Sequence, residues 1–469
     1  MSDFSLLQSS PKAFFRSLSM GVKLIIVCGL ALLMTIPAFF VSGLVDDRTK
    51  RANDVAKEIS GHVGGPQTFL GPTLVIPYSV PPQSPVEFTK HGTYLVFPAL
   101  ASATIKTTTE ERHRSLFRVP VFQADLKFDA NFDLSGVPAA IPQGAELDWS
   151  HAELVVGVSD ARGALADATL TTEAKTETLV PAEIADNISF VGHQNQHIKL
   201  SLFSARVSDL ATPDAKFHVT STLRFSGAER IAVLAYGKTT HLTAQGDWRN
   251  PGFDGGILPV NRNITNQGFV AEWSVPFIAR GVRAEGPSDL ITGLDATALG
   301  VSFIEVADPY QAVNRSLKYV LLLLGLVFLT YFVFEATTGK RIHSAQYILV
   351  GIAQIIFYLL LLSFAERIGF DHGFMLAGAA TVILLSTNAG WIFASRLQGI
   401  RALATFTMLY TLIYLLLTLE DNALFVGAIA SFVAVAGTMY FTRRIDWYGS
   451  LPIPIAPDQS KYVVPGETV

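Results

Sequence analysis

Hydrophobic residues follow two patterns along this chain. From Val22 to Val45 they run almost unbroken, and from Leu317 onward they do so again in five blocks separated by short polar punctuation. A helix needs about 20 mostly apolar residues to cross the hydrocarbon core of a bilayer. Six crossings are therefore predicted: Val22–Val45, with Pro37 as a tolerated kink, then Leu317–Ala336, Gln346–Ala365, Phe374–Ala394, Ala402–Leu419 and Ala423–Thr442. Only Glu420-Asp421-Asn422 divides the last two. A single helix over both would measure roughly 60 Å, about twice the hydrocarbon thickness, so a tight hairpin is expected. Between the two apolar regions the pattern changes to short runs of Val, Ile, Thr, Phe and Tyr bounded by Gly, Pro, Asn and Asp, which predicts strands.

The expected division is a cytoplasmic N-terminus (1–21), an anchor helix (22–45), a β-rich domain outside the cytoplasm (46–316), a five-helix membrane bundle (317–442) and a cytoplasmic tail (443–469). Strand candidates include Thr73–Tyr78, Thr93–Pro98, Val121–Phe128, Glu153–Val158, Lys216–Phe225, Phe269–Ser274 and Gly300–Val306. They suggest one or two antiparallel β-sandwiches. Asp46 to Ser60 has helical character and prolongs the anchor until Gly61, Gly64 and Gly65 break it. Val41-Ser42-Gly43 would serve as a signal-peptide cleavage site, but the apolar stretch before it is longer than such peptides use, so an uncleaved anchor is expected. Ahead of it, Leu6, Leu7, Phe14, Phe15 and Leu18 could lie along the membrane surface.

Charge sets the orientation. Lys12, Arg16, Lys23, Lys340, Arg341, Arg396, Arg401, Arg443 and Arg444 all fall on one side if there are six crossings. The opposite short loops carry Arg367 beside Glu366 and Asp371, and the acidic Glu420-Asp421 turn. Basic loops stay in the cytoplasm, which places both termini there. Trp447 and Tyr448 suit an interfacial belt. Residues 46–318 hold 24 Lys+Arg against 30 Asp+Glu, and the whole chain has a net charge of −4, which argues against nucleic acid as a partner. The single cysteine, Cys28, allows no intramolecular disulfide, and Val27 before it does not fit a lipoprotein signal.

Few residues suggest chemistry. His193 and His197 are four apart, but Gln194 stands where a metalloprotease would need Glu, so a solvated loop is the plainer reading. Glu335 ends one span and His343 begins the next, a helix-end pair that could relay protons or simply tie two helices together. Glu366, Asp371 and His372 could gather with Glu420 and Asp421 at the outer side, or only mark helix ends. Gln354, Thr387 and Asn388 are polar residues within spans. Contacts between helices are the plain account and a substrate path is the sharper one. Trp248, Pro251 and Phe253 lie in a Gly- and Pro-rich stretch suited to buried turn packing or to recognition of a partner. No catalytic, cofactor or metal site is assigned from spacing.

Several strings resemble the CreD family of bacterial inner-membrane, or cell envelope integrity, proteins. They include Gly65-Pro66-Gln67, Ser159-Asp160-Ala161-Arg162-Gly163, Gly268-Phe269-Val270-Ala271-Glu272-Trp273, Phe334-Glu335, Arg341-Ile342-His343, Gln346-Tyr347 and Thr442-Arg443-Arg444-Ile445-Asp446-Trp447-Tyr448. One loop departs from the family's pattern: where a His is usual, the sequence reads Trp248-Arg249-Asn250-Pro251-Gly252-Phe253. The resemblance implies a multi-pass inner-membrane protein tied to envelope integrity and envelope stress, including altered tolerance to colicins and β-lactams. It implies no reaction and no cofactor. The expectation is a non-enzymatic scaffold or sensor whose 46–316 domain is periplasmic. Its partners would be the lipid bilayer and an envelope protein or the cell wall. The alternative is a transporter or lipid- or envelope-precursor-handling protein with a path through the bundle.

Overall fold

A computed structural model describes residues 20–82, 88–114, 117–137, 141, 144–182, 190–191, 197–207, 209, 211–303, 309–419 and 423–443. In it the first apolar run folds as two helices, α1 (Met20–Leu33) and α2 (Thr35–Val63). The break falls at Met34, three residues ahead of Pro37, because a proline ring clashes with the carbonyl four residues back and leaves it without a donor. Thr35 Oγ1 donates to Leu32 O at 2.6 Å and covers one of the loosened carbonyls. Past α2, Gly64 and Gly65 take φ values of 94° and 60°, the left-handed region that glycine enters freely.

The described residues form two compact units, one from Met1–Thr49 and Ala307–Val469 and the other from Lys50–Val306. In the first unit a short helix, α3 (Pro309–Leu317), precedes α4 (Val320–Thr338), α5 (Ser344–Ile368), α6 (Phe370–Ile392), α7 (Arg396–Thr418) and α8 (Ala423–Thr442). Six helices are long and apolar enough to cross a membrane, one N-terminal and five C-terminal, as the hydrophobic pattern predicts. α1, α5, α7 and α8 all pack on α4. Glycine permits the closest approach: a Cβ on Gly351 would lie 2.6 Å from Met34 Cγ. Aromatic rings fill the interior, with Tyr331 stacked on Phe406 at 5.7 Å and Phe357 edge-on to Tyr410 at 5.0 Å.

The second unit is all-β. One sheet runs in the order Pro251–Gly255, Ala298–Phe303, Arg230–Leu234, Gln67–Val80, Glu153–Val158, Ser201–Arg206, Val180–Pro181. The other runs Asn261–Thr265, Gly268–Val275, Thr239–Gly246, Leu100–Arg114, Phe117–Asp133, Lys216–Ala228, Thr169–Thr172, Thr176–Thr178. Along Lys216–Ala228, Val219, Leu223 and Phe225 are buried while His218, Thr222 and Arg224 are exposed, the alternation a half-buried strand requires. The sheets share one core. Phe69 meets Phe225 edge-on at 5.3 Å, and Phe122 packs on Phe303 at 5.0 Å. Tyr236 is buried, and its hydroxyl donates to Ser102 O at 2.7 Å and Asp129 O at 3.0 Å. That arrangement is sandwich-like. Pairing is mostly antiparallel, with two parallel exceptions among the described residues: Gln67–Phe69 beside Ile231–Val233, and Leu100–Thr107 beside Thr239–Gly246. Both join strands far apart in sequence, the condition parallel pairing needs.

The end of α2 is bound into this unit. Ala56, Ile59 and Val63 pack against Val119, Val121 and Ala228. Ser60 Oγ donates to Glu229 Oε1 at 3.0 Å, and Ser226 Oγ donates to Val63 O at 2.9 Å. Gln67, fully buried, donates through Nε2 to Gly64 O at 2.7 Å and Asp160 O at 3.0 Å, and accepts from Ser159 Oγ at 3.2 Å. A Cβ on Gly163 would lie 2.4 Å from Ser226 O and 2.7 Å from Gln67 Nε2. Gly163→Ala is therefore expected to lower stability by about 1–3 kcal/mol, because overpacking moves backbone here rather than a side-chain tip. Thermal unfolding of the full chain in detergent measures this. Gly136→Ala is the control, since its nearest neighbour is a Glu285 oxygen at 4.0 Å, and it should leave the transition in place.

Candidate functional site

The C-terminal end of α4 carries the most concentrated polar arrangement in the helical unit. Glu335 lies one turn before Gly339, whose left-handed φ of 70° ends the helix. The chain then turns through Ile342, whose N–H donates to Glu335 Oε1 at 3.0 Å. Tyr347 on α5 donates its hydroxyl to Glu335 Oε2 at 3.2 Å. Lys23, at the start of α1, ion-pairs with Glu335 and also donates to Ile342 O at 2.7 Å. Side-chain exposure is 17% for Lys23 and 1% for Glu335. His343 is exposed, and its Nδ1 accepts from the Ala345 N–H at 3.2 Å as the N-cap of α5. Glu335 and His343 thus answer to different partners. Lys23 was read from the sequence only as an orienting charge. The missed signal was that a lysine opening the first span and a glutamate closing the second reach the same membrane face.

Inside the bundle the three singled-out polar residues occupy separate places. Gln354 is buried and accepts from the Tyr410 hydroxyl at 3.1 Å. Asn388 is half-buried and donates through Nδ2 to the Tyr331 hydroxyl at 3.3 Å, which in turn donates to Leu385 O at 2.8 Å. Thr387 is exposed on α6, in a depression also lined by the start of α7. Tyr331 and Tyr410 were not flagged from sequence, because a tyrosine within an apolar run reads as one more hydrophobe.

At the other end of the bundle, Glu366 accepts from the Tyr310 hydroxyl at 3.1 Å, with Arg48 Nε 3.9 Å from the same carboxylate. Asp371 accepts from the Tyr414 hydroxyl at 3.1 Å, and His372 is exposed. His193, Glu420, Asp421, Trp447, Tyr448 and the apolar residues before Met20 lie outside the described residues.

In the β unit, Pro251 and Phe253 belong to the edge strand Pro251–Gly255, paired with Ala298–Phe303. Phe253 meets Phe269 and Trp273 edge-on at 6.1 and 5.9 Å, and Trp248 meets Phe303 at 6.2 Å while donating to Asn250 O at 3.1 Å. Both rings pack on the shared core. Arg280, unremarked in the sequence, is buried. It donates to Ala235 O at 2.7 Å and Arg283 O at 3.2 Å and stands 4.1 Å over the Phe97 ring. Burial pushes its guanidinium down to about 9. Asp148, Ser150 and His151 form an exposed turn in which hydroxyl and imidazole both engage the one carboxylate. Among the described residues no group of three or more His, Cys, Asp or Glu could hold a metal ion.

A family model described as inner membrane protein CreD matches residues 19–448. The chain is also similar to inner membrane protein CreD of Escherichia coli (strain K12), with 29% identity over 437 residues that cover 92% of this chain and 94% of that protein.

Removing one member of a desolvated ion pair strands the other. Lys23→Met should therefore cost about 3–5 kcal/mol, and the double change Lys23→Met with Glu335→Leu should cost less than that single change. A double-mutant cycle on unfolding of the full chain in mixed micelles reads both. Additive losses would mean the two side chains do not interact.

Proposed function

This chain belongs to the CreD family, and from that premise we propose that it is a non-enzymatic scaffold or sensor supporting cell envelope integrity and the response to envelope stress. In this reading both termini are cytoplasmic and residues 46–316 are periplasmic. The β-domain meets an envelope protein or the cell wall, and the bundle anchors it as a multi-pass inner membrane protein. Orientation is supported by charge. One end of the helical unit carries Lys23, Lys340, Arg341 and Arg396, and the other carries Glu366 and Asp371 with Arg48 and Arg367 beside them. Lys340 Nζ donating to Phe393 O and Lys23 pairing with Glu335 join the basic segments at a common end.

The observation that carries the scaffold reading over a transport path is how the intramembrane polar groups are used. Asn388 is taken up by Tyr331, and Gln354 accepts from Tyr410. Both bonds join different helices, and the apolar depression that Asn388 lines is not lined by Gln354. Such bonds act as glue of about 1–2 kcal/mol each. A conduit would instead need the two amides to line one continuous cavity.

Photocrosslinking in intact cells tests this. Probes at Leu258, Val260 and Ile264, which are exposed beside and on the edge strand Asn261–Thr265, should capture envelope protein or glycan. A probe at Asn388 should capture only neighbouring helices. A small envelope precursor captured at Asn388 would overturn the scaffold reading in favour of a path.

A further inference from the structure

We propose that the crevice between α6 and α7 is a binding site for one anionic phospholipid, with the phosphate at Arg396 and an acyl chain along the apolar slot lined by Ala379, Ile383 and Leu403. The crevice consists of two connected depressions that share Ile383 and Leu403. The one at the helix ends has a volume of about 700 Å³ and is lined by Ser386, Thr387, Gly390, Trp391, Ser395 and Arg396 among others. The deeper one, about 390 Å³, is lined by Phe374, Gly378, Val382, Leu403, Tyr410 and Tyr414 among others. Both sizes fall in the range of ligand sites.

Two local features open the crevice. Ala394 takes a φ of 42°, turning the chain so that Ser395 caps α7 beside the end of α6. Gly390 and Gly399 then face each other without side chains. A Cβ on Gly390 would lie 3.7 Å from Gly399 Cα, so the floor of the depression is backbone.

The chemistry is graded along the crevice, and that grading identifies the occupant. Arg396 is exposed and, among the described residues, makes no ion pair, whereas two other cations at this end, Lys23 and Lys340, are engaged by Glu335 and Phe393 O. Trp391 beside it is 74% exposed, as an interfacial aromatic is. From Arg396 to Tyr410 the helix rises about 21 Å, enough to cover one leaflet of the core. A partner helix laid here would bury Arg396 without a counter-charge, a costly arrangement in hydrocarbon. A neutral apolar solute would leave the cation unanswered. A phosphate on an acyl chain satisfies both ends, and basic pockets between membrane helices bind anionic headgroups in this way.

Native mass spectrometry of the full chain, released from micelles containing phosphatidylglycerol and phosphatidylcholine of identical chains, tests the site. The expected result is roughly fivefold preference for phosphatidylglycerol. Arg396→Gln should abolish that preference while Arg396→Lys retains part of it. Ala379→Trp, at an exposed residue of the slot, should reduce binding of both lipids. Should Arg396→Gln not fold, raising the ionic strength on the unmodified protein must erase the preference. Equal binding of the two lipids by the unmodified protein, a preference that survives Arg396→Gln or high salt, or no effect of Ala379→Trp would each overturn the assignment.

Discussion

A polar group carried into hydrocarbon must find its partner within the protein, and this constraint organises the helical unit. Glu335 is the clearest case. A carboxylate 1% exposed is tolerable only with a cation and further donors, and it has Lys23, the Ile342 N–H and the Tyr347 hydroxyl. Lys23, 312 residues away in sequence, therefore converges on this one side chain together with the turn and helix that follow it. α1 leaves the bundle's sequence neighbourhood before the β-domain begins, yet Glu335 draws it back against α4. Met34 over Gly351 then fixes its depth on α5 with a contact only glycine permits.

The β unit solves a different problem, that of closing two sheets around a core while receiving the end of a long helix. Its solution is a buried amide surrounded by glycines. Gln67 spans the carbonyls of Gly64 and Asp160, and Gly163 and Gly227 clear the space in which it lies. A larger residue at either glycine would collide with backbone or with Gln67, so strand register and helix position are decided at one point. The family-like strings Gly65-Pro66-Gln67 and Ser159-Asp160-Ala161-Arg162-Gly163 meet there, which gives those motifs a packing explanation.

Much of this was legible in the chain, for physical reasons. Apolar runs of bilayer length admit few readings, so the six helices could be placed before any coordinates. Alternation from Lys216 to Phe225 marks a half-buried strand whatever its neighbours are. Parallel pairing of Leu100–Thr107 with Thr239–Gly246 was not legible, because alternation is the same for either direction. Nor was the strand at Pro251, since proline and two glycines in five residues argue against a strand. It exists because Pro251 opens an edge strand, a position that needs no donated N–H. The site residues were hardest. Glu335 drew notice for its charge, but its partner sits in a segment that spacing cannot connect to it. Tyr331 and Tyr410 carry the key hydroxyls on rings that hydropathy counts as apolar.

The same constraint separates the two kinds of polar residue in the bundle. Asn388 and Gln354 have hydroxyl partners on other helices, so they hold the helices together, although the Gln354 Nε2 is buried without a hydrogen-bond partner. Arg396 is the exception: an exposed cation at the mouth of an apolar slot, with neither a carboxylate nor a carbonyl engaged among the described residues. A charge at that depth takes its counter-ion from the bilayer if the protein does not supply one. The glycines at positions 390 and 399 bring α6 and α7 together and leave the floor of the depression as bare backbone. Internal satisfaction at Glu335 and external satisfaction at Arg396 are thus two outcomes of one rule, the first fixing the fold and the second joining it to its membrane.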